Sequence, residues 1–455
     1  MKKFEEICLL VIDDIKSGRK KIGDKIPSIR AMSKKYNVSK NTIVTAYNIL
    51  LEQHWIKALP KSGFYISEDL SNKETHSAML DLTNFYNGVD LLEQQLVNEY
   101  SHKPGEGRYP REYMDKLKLD SYLGHPNDGD KPLYLDYGYG DPAGNSVLRG
   151  LITDILKNHA LSVEPQNLLM TYGTNHSLDL IIRHFLIEGD NAIVESPGYY
   201  PLFSKLKLNK VNMIPIKRTK FGLDVNNLEA IIQKNHPKIL FLQPFAHNPT
   251  GTDLTVENLN AIKSLCMKNN VLIVEDDPFL LIRDKPASYL FGEDCPVIYL
   301  SSFSKTVSAS LRCGFIVASK PLIKLLTRLK MITIINTSSI TENILNHMIT
   351  SGTLNNHLQT FKSLSYEKSA DSIKKLSKVE GLKLYPHNPS GHFLWFRIPM
   401  DDKKVVNSAR SNNIFMAPGS LFFPAKSTYF ALRINKFYID QTTVKFIENE
   451  VFNRH

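Results

Sequence analysis

Between about residue 145 and residue 320 the chain alternates short apolar runs with stretches of helical periodicity, and this alternation limits its possible folds more than any other feature. The runs are LLMT (168–171), NAIVES (191–196), KVNMIPI (210–216), KILFLQP (238–244), VLIVED (271–276), PVIYLSS (296–302) and CGFIVA (313–318). A strand that is apolar at nearly every position is covered on both faces. The pattern therefore predicts a large, mostly parallel sheet between layers of helices. In such sheets ligands gather just beyond the carboxyl ends of the strands.

The residues at those ends form a chemically coherent set. After 168–171, Gly173, Thr174 and Asn175 open a helix whose free N–H groups suit a phosphate. After 191–196, Tyr199 offers a flat aromatic face, and after 238–244, Asn248 is fixed by Pro249 and Gly251. Glu275, Asp276 and Asp277 close the next run, and Ser302, Ser304, Lys305 and Arg312 follow the one after. Together these side chains suit a phosphorylated pyridine aldehyde. A lysine amine condenses with the aldehyde, and an aspartate beside the ring nitrogen keeps it protonated as an electron sink. An asparagine donates to the ring hydroxyl, while hydroxyls and an arginine fork hold the phosphate.

The N-terminal part has a different period. Phe4, Ile7, Cys8, Val11, Ile12 and Ile15 repeat at helical spacing. Ser28 and Ser39 are placed to cap a second and a third helix, with Asn37 suited to the left-handed turn between them. HWIKAL and GFYIS then read as a hairpin around Pro60, Lys61, Ser62 and Gly63. This is a helix-turn-helix followed by a β-wing. Residues 1–67 hold 13 Lys and Arg against 6 Asp and Glu, most of the formal net charge of +10. A basic surplus confined to one end favours a polyanionic partner there.

Residues 68–80 are polar and aperiodic, as a linker is. The expected domains are 1–67, a winged helix-turn-helix; 81–320, the large α/β domain with an N-terminal arm; and 321–455, a smaller α+β domain. The last begins with a long helix over about 320–378 and continues through HFLWFRIP and TYFALRIN. Cys8, Cys266, Cys295 and Cys313 show no metal-binding spacing and read as reduced thiols. No run approaches the roughly 20 apolar residues of a membrane helix. A cytoplasmic protein without metal or membrane association is expected.

Residues from about 130 to 450 resemble the fold-type I pyridoxal-phosphate enzymes of the aspartate aminotransferase superfamily. The carrying motifs are YGDPAGNSVLR (139–149), YGTNHSLDL, ESPGYY, HNPTG, VEDDPF, SSFSKTVSASLRCGF, PSGHFLW, APGSLFF and ALRIN. Residues 1–67 resemble the GntR-type winged helix, and the fusion resembles the MocR-type transcriptional regulators. The resemblance implies pyridoxal 5′-phosphate on Lys305 as a Schiff base, Asp276 at the ring nitrogen, Asn248 at the ring oxygen and Tyr199 stacked on the ring. It implies Gly173, Thr174, Asn175, Ser302, Ser304 and Arg312 around the phosphate, with Tyr139 reaching the phosphate of a partner subunit in a homodimer. Arg433, in ALRIN, would clamp an effector carboxylate.

For DNA the resemblance implies Arg30, Ser39, Lys40, Asn41 and Thr42 at the major groove, and Lys61 with Gly63 at the wing tip. Three positions depart from the pattern. Phe279 replaces a tyrosine that donates to the ring hydroxyl, Ala309-Ser310 replaces a Pro-Gly, and Lys40 replaces an arginine and so lacks its bidentate fork. The implied function is a regulator that binds double-stranded operator DNA as a dimer and senses an amino acid, an amine or the cofactor. The alternative is an active aminotransferase carrying a winged helix.

Overall fold

A computed structural model describes residues 3–16, 20–52, 55–59, 63–67, 138–292, 296–385 and 390–452. The chain divides into two compact units, Met1–Leu82 and Thr83–His455. The expected linker at 68–80 lies outside the described residues.

In the first unit, helices α1 (Lys3–Lys16), α2 (Ile29–Tyr36) and α3 (Lys40–Glu52) precede a two-stranded hairpin of β1 (Ile56–Leu59) and β2 (Gly63–Ile66). Ser28 caps α2 by accepting from the Ala31 N–H at 3.3 Å, and Asn37 ends it in the left-handed region at φ 50°. Ser39 accepts from the Thr42 N–H at 3.1 Å, which starts α3. Ile7, Val11, Met32, Ile43, Ala46, Leu50, Ile56 and Ile66 form one core. The three helices and the wing therefore share a single apolar centre, as their periodicity requires.

The second unit begins, among the described residues, with α4 (Ser146–Asn158), capped by Asn145. There follow β3 (Leu168–Thr171), α5 (Thr174–Phe185), β4 (Asn191–Ser196), α6 (Tyr200–Leu208), β5 (Asn212–Thr219), β6 (Gly222–Leu223), α7 (Val225–Asn235) and β7 (Ile239–Leu242). Next come α8 (Val256–Lys268), β8 (Leu272–Asp277), β9 (Val297–Ser302) and β10 (Gly314–Val317). These strands form one eight-stranded sheet in the order β3-β10-β9-β8-β7-β4-β5-β6. Neighbours from β9 to β5 are parallel, whereas β10 runs antiparallel to both β3 and β9.

Adjacent residues in one strand face opposite layers, which explains the continuous apolar runs. Val194, Phe241 and Val274 pack with α5 and α6, while Ile193, Leu240 and Ile273 pack with α7 and α8.

The long helix expected over 320–378 is three helices, α9 (Lys320–Ile334), α10 (Ser339–Thr350) and α11 (Thr353–Leu376). Positive φ at Ile335 and Gly352 breaks the path, and Ser338 caps α10. Beyond them β11 (Phe393–Arg397), α12 (Asp402–Ser411), β12 (Ala417–Pro418), β13 (Ala431–Asn435) and α13 (Gln441–Ile447) build a smaller layer. Its antiparallel sheet has the order β11-β13-β12, and it has its own core around Leu394, Phe396, Val405, Leu432 and Ile447. Among the described residues no helix is long and apolar enough to cross a membrane.

Candidate functional site

The loop between β9 and β10 carries the lysine. At its base the Ser302 hydroxyl donates to the Cys313 carbonyl at 3.0 Å and accepts from the Ser304 N–H at 3.0 Å. The Ser302 proton is thus spent on shaping the loop, while the Ser304 hydroxyl is buried without a hydrogen-bond partner. The backbone after the lysine is held from behind. His357 Nε2 lies 2.7 Å from the Thr306 carbonyl, and the His392 ring packs edge-to-face on Phe279. The Lys305 residue as a whole is open to solvent, but protein crowds its amine. Burial is the largest cause lowering its proton affinity, followed by the charge of Arg433, with Asp276 pulling the other way. An amine so placed is neutral, and therefore nucleophilic, more often than a surface lysine.

Asp276, at the end of β8, is buried. Its Oδ2 accepts from Gln243 Nε2 at 2.8 Å, and Oδ1 has no partner. Burial pushes this carboxyl up to about 6, with the charge of Asp277 adding to the rise and Gln243, Thr174 and Lys305 opposing it. A buried carboxylate oxygen without a donor is costly, so a cation or N–H belongs there. Tyr199, at the start of α6, is partly buried, and burial followed by the charge of Asp276 pushes its hydroxyl up to about 12.

The phosphate end is built where α5 begins. Gly173 caps that helix at φ 80°, and a Cβ there would lie 3.3 Å from Arg312 Nη2 and 3.6 Å from Ser304 Oγ. Arg312, itself at φ 49°, donates from Nη2 to the Tyr172 carbonyl at 2.8 Å. Gly314 packs against this corner so closely that a Cβ would sit 2.7 Å from the Gly173 Cα. Gly173, Ser304 and Arg312 therefore converge on free helical N–H groups, an anion cradle. Asn175 is exposed in the first turn of α5, and Tyr139 is exposed at the start of the unit's described part.

Asn248 Oδ1 accepts from Arg433 Nη1 at 3.2 Å. The Arg433 guanidinium lies 4.3 Å from the Phe393 ring centre and 4.9 Å from that of Phe422, and its Nε is buried without a partner. Phe279 packs edge-to-face on His392, with ring centres 4.8 Å apart, and Ala309 and Ser310 sit in a short 3₁₀ turn.

Two groups of residues escaped the sequence reasoning. One is Gln243 together with the buried ion pair Arg218–Glu195, whose Nη1 and Oε1 are 2.6 Å apart, flanked by His247. The other is the pair His357 and His392. A glutamine closing the apolar run KILFLQP was the one available signal for the first; the histidines left none.

In the first unit Arg30, Ser39 and Lys40 are exposed, and Thr42 is half-buried with its hydroxyl 2.8 Å from Ser39 Oγ. Asn41 lies in α3, its side chain outside the described residues, as is Lys61. Gly63 opens β2 at φ 107°.

This fold and donor set define a pyridoxal-phosphate transferase body. The unpartnered Oδ1 of Asp276 fits a protonated ring nitrogen, and the unpartnered Ser304 hydroxyl in the cradle fits a phosphate. The chain belongs to the aminotransferase class I and II family, whose model matches residues 136–435. The model of bacterial regulatory proteins of the gntR family matches residues 3–66, so this is a GntR-family regulator fused to an aminotransferase-like domain.

The chain is 26% identical over 439 residues to the uncharacterized HTH-type transcriptional regulator YdcR of Escherichia coli, covering 93% of this chain and 92% of the relative. It is 25% identical over 433 residues to the HTH-type transcriptional regulator NorG of Staphylococcus aureus, covering 88% and 92%. Among solved structures it resembles LysN, the α-aminoadipate aminotransferase of Thermus thermophilus complexed with N-(5′-phosphopyridoxyl)-L-leucine. That match has a TM-score of 0.62 at 22% identity, covering 74% of this chain and 86% of LysN. The cofactor the family implies is pyridoxal 5′-phosphate.

Proposed function

We propose that this protein is a cytoplasmic, homodimeric transcriptional regulator whose second unit senses an amino acid, an amine or pyridoxal phosphate and whose first unit binds operator DNA. One observation carries the reading: a single chain holds both a capped recognition helix with Lys40 exposed at its start and, in its second unit, Lys305, Asp276 and the Gly173–Ser304–Arg312 corner of a cofactor site. Lys305 would hold pyridoxal phosphate, which when bound would supply a carbon able to form an imine with an amine, whether that of the protein or that of an effector. The protein's own residues do the rest. Lys305 offers an amine of lowered basicity, Asp276 keeps a negative charge at the ring nitrogen, Gly173, Ser304 and Arg312 anchor the phosphate, and Tyr199 covers a ring face. Arg433, held beside Asn248 and between the Phe393 and Phe422 rings, holds a carboxylate. Effector binding then acts by favouring one arrangement of the full-length dimer over another.

The test is to titrate the cofactor-loaded protein with candidate amines, following the visible absorption and operator affinity in parallel. Coupled changes are expected; operator affinity that ignores every ligand would refute sensing. Arg433, with its Nε free for a carboxylate, also favours a second reading as an aminotransferase. Many turnovers per site with paired amino and keto acids would establish that reading, whereas none or a single half-reaction would leave the regulator.

A further inference from the structure

Gln243 stands just beyond β7, buried, and belongs to no cofactor contact implied by the family resemblance. Its side-chain amide is engaged at both ends. Nε2 donates to Asp276 Oδ2 at 2.8 Å, and Oε1 accepts from the Asn248 N–H at 3.0 Å. The reversed amide would set oxygen against carboxylate and NH₂ against N–H, so the network itself fixes the orientation.

The main chain of Gln243 is anchored as firmly. Its N–H donates to Glu195 Oε2 at 2.7 Å, and its carbonyl accepts from Arg218 Nη1 at 3.0 Å. Arg218 is further held by Thr252 through Nε at 2.9 Å. The chain of hydrogen bonds does not stop at Asn248, whose Oδ1 meets Arg433. One amide therefore joins the partner of the ring nitrogen to the turn that presents Asn248 and, through it, to the carboxylate clamp.

We propose that Gln243 is a positioning residue: its amide directs the Asp276 carboxylate and ties it to the Asn248 turn, so that both are aligned as one unit for the pyridine ring. The inference rests on the reading that Lys305 carries pyridoxal phosphate. Several groups bear on Asp276: Lys305 from the β9–β10 loop, Thr174 from α5, Tyr199 beside α6, and Gln243, while Asp277, next on the strand and turned to Arg283 and Tyr299, acts through its charge. Burial and the charge of Asp277 disfavour the charged form, and the Gln243 hydrogen bond opposes them. Loss of its donor moves the carboxyl towards the neutral form.

The experiment compares the full-length wild type with Gln243→Leu, which removes both hydrogen bonds, and Gln243→Glu, which keeps the shape but places a second acid beside the first. Two readouts are taken. In cofactor-free protein the Asp276 carboxyl is titrated by infrared spectroscopy, assigned by its loss in Asp276→Asn. In protein loaded with pyridoxal phosphate, the pH profile of the visible absorption and the cofactor affinity are measured.

Both variants are expected to raise the Asp276 titration by about one pH unit or more and to weaken cofactor affinity roughly tenfold. A variant that folds, even with reduced thermal stability, yet leaves both pH profiles in place overturns the proposal and reduces Gln243 to a packing residue. If wild type shows no visible absorption with pyridoxal phosphate, the cofactor reading fails instead, and the infrared titration still decides the role of Gln243.

Discussion

At the scale of single residues, the site separates hydroxyls that build the loop from hydroxyls left free for a ligand. Ser302 and Ser304 both stood in the sequence as phosphate contacts, and nothing in their spacing ranks them; only folded hydrogen bonds show that Ser302 already serves Cys313. Ser304→Ala is expected to leave the thermal transition of cofactor-free protein nearly unchanged and to weaken cofactor binding. Ser302→Ala is expected to cost about 1 kcal/mol of stability, measured by denaturant unfolding. Asp276 gives a pH test with a definite sign. Its folded pKa is raised from 3.8 to about 6, so its contribution to stability is fully present below about 4 and is lost as pH rises through about 6. In cofactor-free protein, Asp276→Asn is therefore expected to flatten the fall in melting temperature across that window. The buried Arg218–Glu195 pair marks the opposite extreme of legibility. Its members are 23 residues apart on neighbouring strands β4 and β5. Arg218→Met would leave Glu195 buried and unpaired, an expected loss of about 3–5 kcal/mol by equilibrium unfolding.

At the scale of elements, strand positions were legible and helix interruptions were not. NAIVES was read at its true bounds because the middle of β4 is sandwiched between layers, which forces the apolar run Ala192–Val194, while its half-buried ends are polar. The break between α9 and α10 was missed because it rests on a positive φ at Ile335, a β-branched residue that carries no turn signature. The recognition helix illustrates how one residue can act twice. Ser39 caps α3 by accepting from Thr42, and Lys40 follows it, exposed. Ser39→Ala should lower the stability of the first unit by about 1 kcal/mol. Lys40→Ala should leave that stability unaltered, weaken DNA binding across sequences, and reduce the slope of log affinity against log salt by about one, measured by fluorescence anisotropy.

At the scale of the whole molecule, two units with separate cores share one chain. Heat should melt them as distinct transitions, and pyridoxal phosphate at about a hundred times its dissociation constant should stabilise the second by about 2.7 kcal/mol while leaving the first in place, as calorimetry would show. β10 runs antiparallel to both of its neighbours, β3 and β9. Gly314, at its start, is paired in register with Thr171 on one side and Ser302 on the other. The phosphate corner and the lysine segment thus share a single seam, where even a methyl group has no room. Filling either place stiffens the other, so amide exchange at 302–314 and 171–175 should slow together, a fingerprint of occupancy legible without any chromophore.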